Sequence, residues 1–415
     1  MSGARGANHR IQGVAANPFV TPELVGQPRT PRLVTLVWAL LVINTLGSQG
    51  AATLVPIPRP VAQMVTMGSV VAAFLFALLL NPKGRLRPSA YLLLLTMLLV
   101  VSIVASVRLE SGYGALFRCF RFTMFVGTLW LLTPWWHDWL ALTRIHIRTL
   151  TAVLSTVLAG LLISPGAALP DLYGGRLVGA IWPLTPPQVG QYAAVVAGLV
   201  ILLWLGKYTT TSSVLLIALP AIGLLLLSHT RTALLGLGAG LVVALVALVS
   251  TSARARKVFS RTVIFGGLTA VLAGAAIQTW FRRGQDDLSE LTGREKVWDA
   301  LLAWPRTLSQ EVFGVGLTNK SFDGLPIDSS WLAIYHEQGY LGLMLVAAFL
   351  LTLLGVAALR PPSFTRAIAL FLVVYCVVAS YTEAGLGDAS PYLLNLTIAA
   401  VVLTNVKPDR PEKFL

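Results

Sequence analysis

Twelve apolar runs, each near the length of a membrane-spanning helix, recur along this chain. They fall at about 33–50, 61–80, 89–108, 114–133, 149–165, 189–206, 212–227, 233–250, 262–280, 331–355, 367–382 and 391–406. A helix rises about 1.5 Å per residue, so roughly 20 apolar residues cross a hydrocarbon core about 30 Å thick. Composition agrees: 56% of the 415 residues are hydrophobic and 12% are charged, against about 25% charged in soluble chains. Lipid is therefore the expected solvent for most of the surface. Runs seven and eight are separated only by Ser228, His229, Thr230, Arg231 and Thr232, which requires a tight hairpin.

The formal net charge is +14, which on a soluble protein would point to nucleic acid. Here the basic residues alternate with the loops. With the N-terminus inside, the inner segments carry Arg5, Arg10, Arg29 and Arg32; Lys83, Arg85 and Arg87; Arg144 and Arg148; and Lys207. They continue with Arg254, Arg256, Lys257 and Arg261; Arg360 and Arg366; and Lys407, Arg410 and Lys413. The short outer loops hold only Arg59, Arg176 and Arg231, with Arg108 at a boundary. This is the positive-inside pattern, so the expected partner is the lipid bilayer and not nucleic acid.

The chain accordingly reads as an all-α, polytopic membrane helix bundle of about 12 transmembrane helices with one long extracytoplasmic loop. It is expected to be N-in and C-in, multi-pass, in the plasma (inner) membrane. Its segments are a cytoplasmic tail (1–32), spans one to nine (33–280), the outer loop (281–330), spans ten to twelve (331–406) and a cytoplasmic tail (407–415). Residues 1–32 are polar and show no cleavable signal. Cys119 and Cys376 lie inside apolar runs and read as small core residues, with neither disulfide nor metal implied.

The long loop has a helix signal of its own. Thr292 and Glu295 are spaced as a capping box ahead of Val297, Trp298, Leu301 and Leu302, and Pro305 stops the helix. The glycines of Phe313-Gly314-Val315-Gly316 then predict a turn back toward the membrane. Most acidic residues, from Glu110 and Asp171 to Glu383 and Asp388, fall on the outer side. Isolated arginines among them need a reason.

Arg176 lies in Tyr173-Gly174-Gly175-Arg176, Arg231 in the tight outer turn, and Arg294 at the expected start of the loop helix. A guanidinium suits phosphate because its planar fork offers paired donors and keeps its charge. A helix start adds backbone amides that favour an anion. The bland alternative pairs each arginine with an outer carboxylate or a lipid headgroup. Arg118 and Arg121 sit within the fourth span, three residues apart and so on one face. Arginine at membrane depth is costly and faces the bundle interior or a watery cavity. Either they form a structural ion pair with Glu337 or they hold phosphate, and both readings stay open. Asp328, at the mouth of the tenth span, is either a helix N-cap or a general base on a sugar hydroxyl. His336 and His229 are further candidate bases. There is no phosphate-loop motif, no dinucleotide fingerprint and no HExxH, so nucleotide chemistry inside the cell is not expected.

Several of these motifs, in order, resemble the O-antigen ligase/polymerase superfamily. They are Ser228-His229-Thr230-Arg231-Thr232, Leu291-Thr292-Gly293-Arg294 with Trp298, Phe313-Gly314-Val315-Gly316-Leu317, Asp328-Ser329-Ser330-Trp331-Leu332 and Glu337-Gln338-Gly339-Tyr340-Leu341-Gly342. The resemblance covers roughly residues 228–342. It implies a metal-independent membrane glycosyltransferase of polysaccharide biosynthesis for the cell envelope, without a cofactor. Such an enzyme takes a polyprenyl-diphosphate-linked glycan as donor and a glycan or lipid as acceptor. Arg231 and Arg294 match the family's motif arginines and would act with Asp328 in catalysis. Arg176, Arg118, Arg121 and His336 are expected to bind substrate. In the ligase branch a histidine begins the segment before the tenth span, and this chain offers Asp328 there instead. Ligase and polymerase activity are therefore both kept.

A transporter or flippase of a lipid-linked glycan is the alternative. Transporters more often carry internal repeats and charges near the midplane, whereas here no repeat is visible and the polar candidates cluster at the outer end. A non-catalytic scaffold would leave the five arginines without a common purpose.

Overall fold

The computed structural model of the protein describes residues 30–47, 53–108, 110–261 and 289–404. Eleven of the twelve apolar runs form helices: α1 Arg32–Asn44, α2 Arg59–Leu80, α3 Ala90–Val107, α4 Tyr113–Leu132, α5 Trp139–Ile163, α6 Pro186–Leu205, α7 Thr211–Leu227, α8 Arg231–Val249, then α11 Ser330–Leu359, α12 Phe364–Ala379 and α13 Pro391–Thr404. Between them, α9 (Ser289–Ala303), α10 (Leu308–Phe313) and a two-stranded hairpin, β1 Ser321–Phe322 with β2 Leu325–Pro326, make up the long connection. The ninth run and nearly all of both tails lie outside the described residues.

Seven of these helices (α2, α3, α4, α5, α6, α8 and α11) are long and apolar enough to cross a membrane, while α1, α7, α12 and α13 are apolar but shorter. An all-α membrane-type bundle stands. A count of twelve long spans is not reached among the described residues. α5 starts well before its expected run because Asp138 caps it, accepting a hydrogen bond from Ala141 N at 3.1 Å. Arg144 and Arg148 thus lie on the helix rather than in a loop, and Arg144 donates to Tyr208 O at 3.0 Å.

α6 is the central helix. Buried residues make up 83% of its apolar stretch, against 28% for α2. Small residues let neighbours approach it closely: a Cβ on Gly198 would fall 2.0 Å from the Phe371 ring of α12, and one on Gly190 would fall 2.6 Å from Thr230. α2 and α3 instead expose Met64, Leu79, Met97 and Val100, as lipid-facing helices do. One buried polar chain ties three helices together. Trp38 Nε1 (α1) donates to His146 Nδ1 (α5) at 3.1 Å, and His146 Nε2 lies 2.9 Å from Asn395 Oδ1 (α13). With Nδ1 accepting from the indole, Nε2 carries the proton and donates to Asn395.

The bundle has two distinct ends. At one, Arg254 donates to Trp204 O, Arg360 to Leu403 O and Arg144 to Tyr208 O, and Trp139, Tyr208 and Phe364 stack together. This end holds the basic short connections. At the other end the 228–230 turn, the 380–390 connection, α9, α10 and the hairpin converge. A small second core forms there from Leu301, Ile327 and Ala333, with Phe322, Leu332, Tyr335 and Ala384 packed around it.

Candidate functional site

The three residues between α7 and α8 are held by their own side chains. Ser228 Oγ donates to Leu225 O and to Thr230 Oγ1, and Thr230 Oγ1 donates to Pro186 O at 3.0 Å. His229 adopts a left-handed φ of 48°, which lets the chain reverse in so few residues. Arg231 then becomes the first residue of α8. Arg176 reaches the same turn, donating from Nε to Ser228 O at 3.1 Å, while Leu177 N donates to Leu227 O. Two separate connections therefore set Arg176 and Arg231 against one short turn.

The 380–390 connection joins them. Thr232, next to Arg231, shares a hydrogen bond of 2.6 Å with Thr382. Ser330 Oγ donates to Glu383 O, and Ser330 N donates to Ser380 O. These bonds seat the start of α11, and with it Asp328, beside the same segment. Asp328 is half-buried, and the N-cap position of α11 falls to Ser329, so Asp328 is not the cap. α9 docks here too: the Trp298 ring meets Tyr381 edge-on, 6.1 Å between centroids. Arg294 lies one turn earlier on α9. Because α9 begins at Ser289, Thr292 and Arg294 are inside the helix, which removes the expected capping box and the helix-start argument for Arg294. The helix does end before Pro305, as expected.

Deeper in the bundle, α11 is broken. Gly339 has φ 65° and ψ −164°, outside helical geometry. Unwound backbone at membrane depth persists only where protein or a cavity satisfies it. Here the Gly314–Gly316 stretch does so: Val315 N donates to His336 O and Gly316 N to Glu337 O, both at 3.0 Å. The predicted glycine turn toward the membrane is thus a segment laid against the broken helix. Glu337, 3% exposed, accepts from Thr318 N at 2.8 Å, Thr318 Oγ1 at 3.0 Å and Lys320 N at 2.8 Å. Gln338 donates to Ser102 Oγ and to Gly387 O.

Of the two expected readings of Arg118 and Arg121, the ion pair with Glu337 does not form among the described residues. Arg118 donates to Leu317 O at 3.2 Å. Arg121 donates to Asn44 O at 2.7 Å, Asn44 Oδ1 at 3.3 Å and Ala389 O at 3.2 Å. Glu337 Oε1 instead accepts from the 318 and 320 amides and the Thr318 hydroxyl. Both arginines bind carbonyls and pin loops to the bundle. His336 is 5% exposed, boxed by Trp304 and Phe322. Arg306 Nη2 lies 3.4 Å from its Nδ1, and a guanidinium only donates, so that nitrogen's lone pair is engaged.

Three features had no counterpart in the sequence reading. Lys320 pairs with Asp388 at 2.8 Å. Arg306 lies between the Trp304 and Tyr335 rings, and burial pushes its pKa below the usual arginine value. The small-residue segment Thr382-Glu383-Ala384-Gly385-Leu386-Gly387-Asp388 links the two groups of arginines. Its run of small residues between two spans was the available signal. Among the described residues no three His, Cys, Asp or Glu side chains gather as metal ligands. Compared with known protein families and with curated proteins, the sequence matches none.

Proposed function

We propose that the protein is a membrane glycosyltransferase that moves a glycan from a polyprenyl-diphosphate carrier to a glycan or lipid acceptor on the extracytoplasmic face. The observation that carries this reading is that the 380–390 segment, at the end of the bundle away from the basic loops, binds both Thr232 beside Arg231 and Ser330 two residues after Asp328, while Arg176 bonds to the turn that precedes Arg231. The leaving group of such a transfer is a lipid diphosphate whose negative charge grows in the transition state. Preorganised cations stabilise that charge. Arg231 and Arg176, placed at a turn whose hydroxyls bond within it and to α6 and α7, are suited to hold it, and Arg294 stands on the helix that docks over the 380–390 segment. Asp328 is the group assigned to accept the proton of the attacking hydroxyl.

The test is transfer from a lipid-linked oligosaccharide by the reconstituted protein. Arg231→Ala and Asp328→Ala are each expected to lower the rate on the order of 100-fold or more, with folding retained. Arg294→Ala belongs in the same series. Unchanged transfer in all three well-folded variants refutes the site. One observation favours the alternative of a transporter or flippase: a broken spanning helix is also a transporter feature. Movement of the lipid-linked glycan across a vesicle membrane without transfer to any acceptor would decide for it.

A further inference from the structure

We propose that Lys320 is a further anion-binding residue of the donor site, positioned by Glu337 and held by Asp388 while substrate is away. The inference rests on the lipid-diphosphate reading above. Asn319 and Lys320 both adopt left-handed backbone, with φ of 78° and 58°. Such conformations are uncommon for residues other than glycine and persist only where the surroundings impose them. Glu337 supplies that imposition, because its buried carboxylate binds the Thr318 and Lys320 amides at once. A carboxylate at the break of a spanning helix therefore dictates where the Lys320 side chain emerges.

The side chain emerges at the 380–390 segment. Lys320 Nζ lies 2.8 Å from Asp388 Oδ1 and 3.4 Å from Ala384 O, with the two side chains 27% and 17% exposed. The pair is close but poorly directed, since Asp388 Oδ1 accepts no hydrogen bond of normal geometry. An ammonium has three donors, and here one long bond and one misaligned ion pair occupy it. Nor is the pair needed to fasten the hairpin region. Glu337 binds it three times, Ser106 Oγ accepts from Leu317 N, and Arg118 donates to Leu317 O. The same segment carries Thr382, bonded to Thr232 beside Arg231. Lys320 is thus a partly exposed, loosely satisfied cation against the segment that also bonds to Thr232 beside Arg231. A diphosphate there would replace Asp388 as its partner.

A fastening role and an anion-binding role predict opposite signs for the two members of the pair. Binding of farnesyl diphosphate to the purified full-length protein in detergent can be followed by thermophoresis, with thermal unfolding without ligand as the check on folding. Lys320→Ala is expected to weaken binding about tenfold, the usual scale for losing one charge-assisted contact. Asp388→Asn is expected to strengthen it several-fold by freeing the ammonium. Glu337→Gln weakens it as Lys320→Ala does, without touching the ligand, and Lys320→Arg retains most of it. Loss of binding in both Lys320→Ala and Asp388→Asn, or in neither, overturns the inference. If Arg231→Ala abolishes binding while Lys320→Ala leaves it intact, the donor reading survives and this inference fails. If the wild-type protein does not bind the probe, both fail.

Discussion

Gly339 and Gly314 face each other across the break in α11. A Cβ on Gly339 would lie 2.5 Å from Val312 C and O, and one on Gly314 would lie 2.4 Å from Gln338 N. Both have positive φ, 65° and 77°. The obstructing atoms are backbone, so they cannot swing aside. Gly339→Ala is therefore expected to cost about 3 kcal/mol, combining the strained φ with the clash, read as a lowered unfolding midpoint in detergent. A variant as stable as wild type would mean that the two backbones are not in contact. Both glycines are visible in the sequence as members of glycine motifs. That they belong to one contact was not, because the motifs are separated by the hairpin. Glu337 is similar: the sequence offered it as an ion-pair partner of Arg118 and Arg121, and the fold shows that its Oε1 accepts from the Thr318 and Lys320 amides and the Thr318 hydroxyl instead.

At the level of elements, α9 shows where periodicity was informative and where it stopped. Val297, Trp298, Leu301 and Leu302 were all read as its apolar residues. Val297 and Leu301 are buried, whereas Leu302 is 59% exposed. Leu301 packs with Ile327 and Ala333, so it anchors α9 to the hairpin region and the start of α11. Leu301→Ala is expected to weaken that docking by about 2–4 kcal/mol. Leu302→Ala should stay within about 0.5 kcal/mol, as exposed positions do. Limited proteolysis of 289–329 in the intact protein reads the difference: faster cleavage in the first variant only. Equal rates would show that α9 is not held by Leu301. The tight α7–α8 turn was legible from the five-residue gap between the two apolar runs, which the structure shortens to three, and its hydroxyl bonds follow from Ser228 and Thr230 being the residues there.

Across the whole molecule, the basic short connections and the arginine turn lie at opposite ends of the bundle. If the positive-inside rule applies, the 228–230 and 380–390 segments are outside. Single cysteines at Asp171 and Asp323, introduced after Cys119 and Cys376 have been replaced by alanine, should react with an impermeant maleimide in intact cells. A cysteine at Gly84 should react only after permeabilisation. The reverse pattern would invert the molecule and place the arginine site inside, where a lipid diphosphate could still reach it but an extracytoplasmic acceptor could not.

The sequence by itself determined the solvent and the element type. Apolar runs of spanning length separated by charged loops can bury their backbone groups in lipid only as helices, and the charge bias separates the two ends without any contact being known. The tertiary structure alone decided which polar residues meet. Arg176 with Ser228, Thr232 with Thr382, and Ser330 with Glu383 pair residues far apart in the chain, and no local pattern encodes their distances. The break at Gly339 likewise depends on a second segment arriving to satisfy the freed carbonyls. Among membrane helices the apolar surface is nearly uniform, so sequence pattern sets which residues are buried far less than the close packing around α6 does. The opening pattern of apolar runs set a bundle, and the fold alone decided that the 380–390 segment bonds both to Thr232, beside Arg231, and to Arg121.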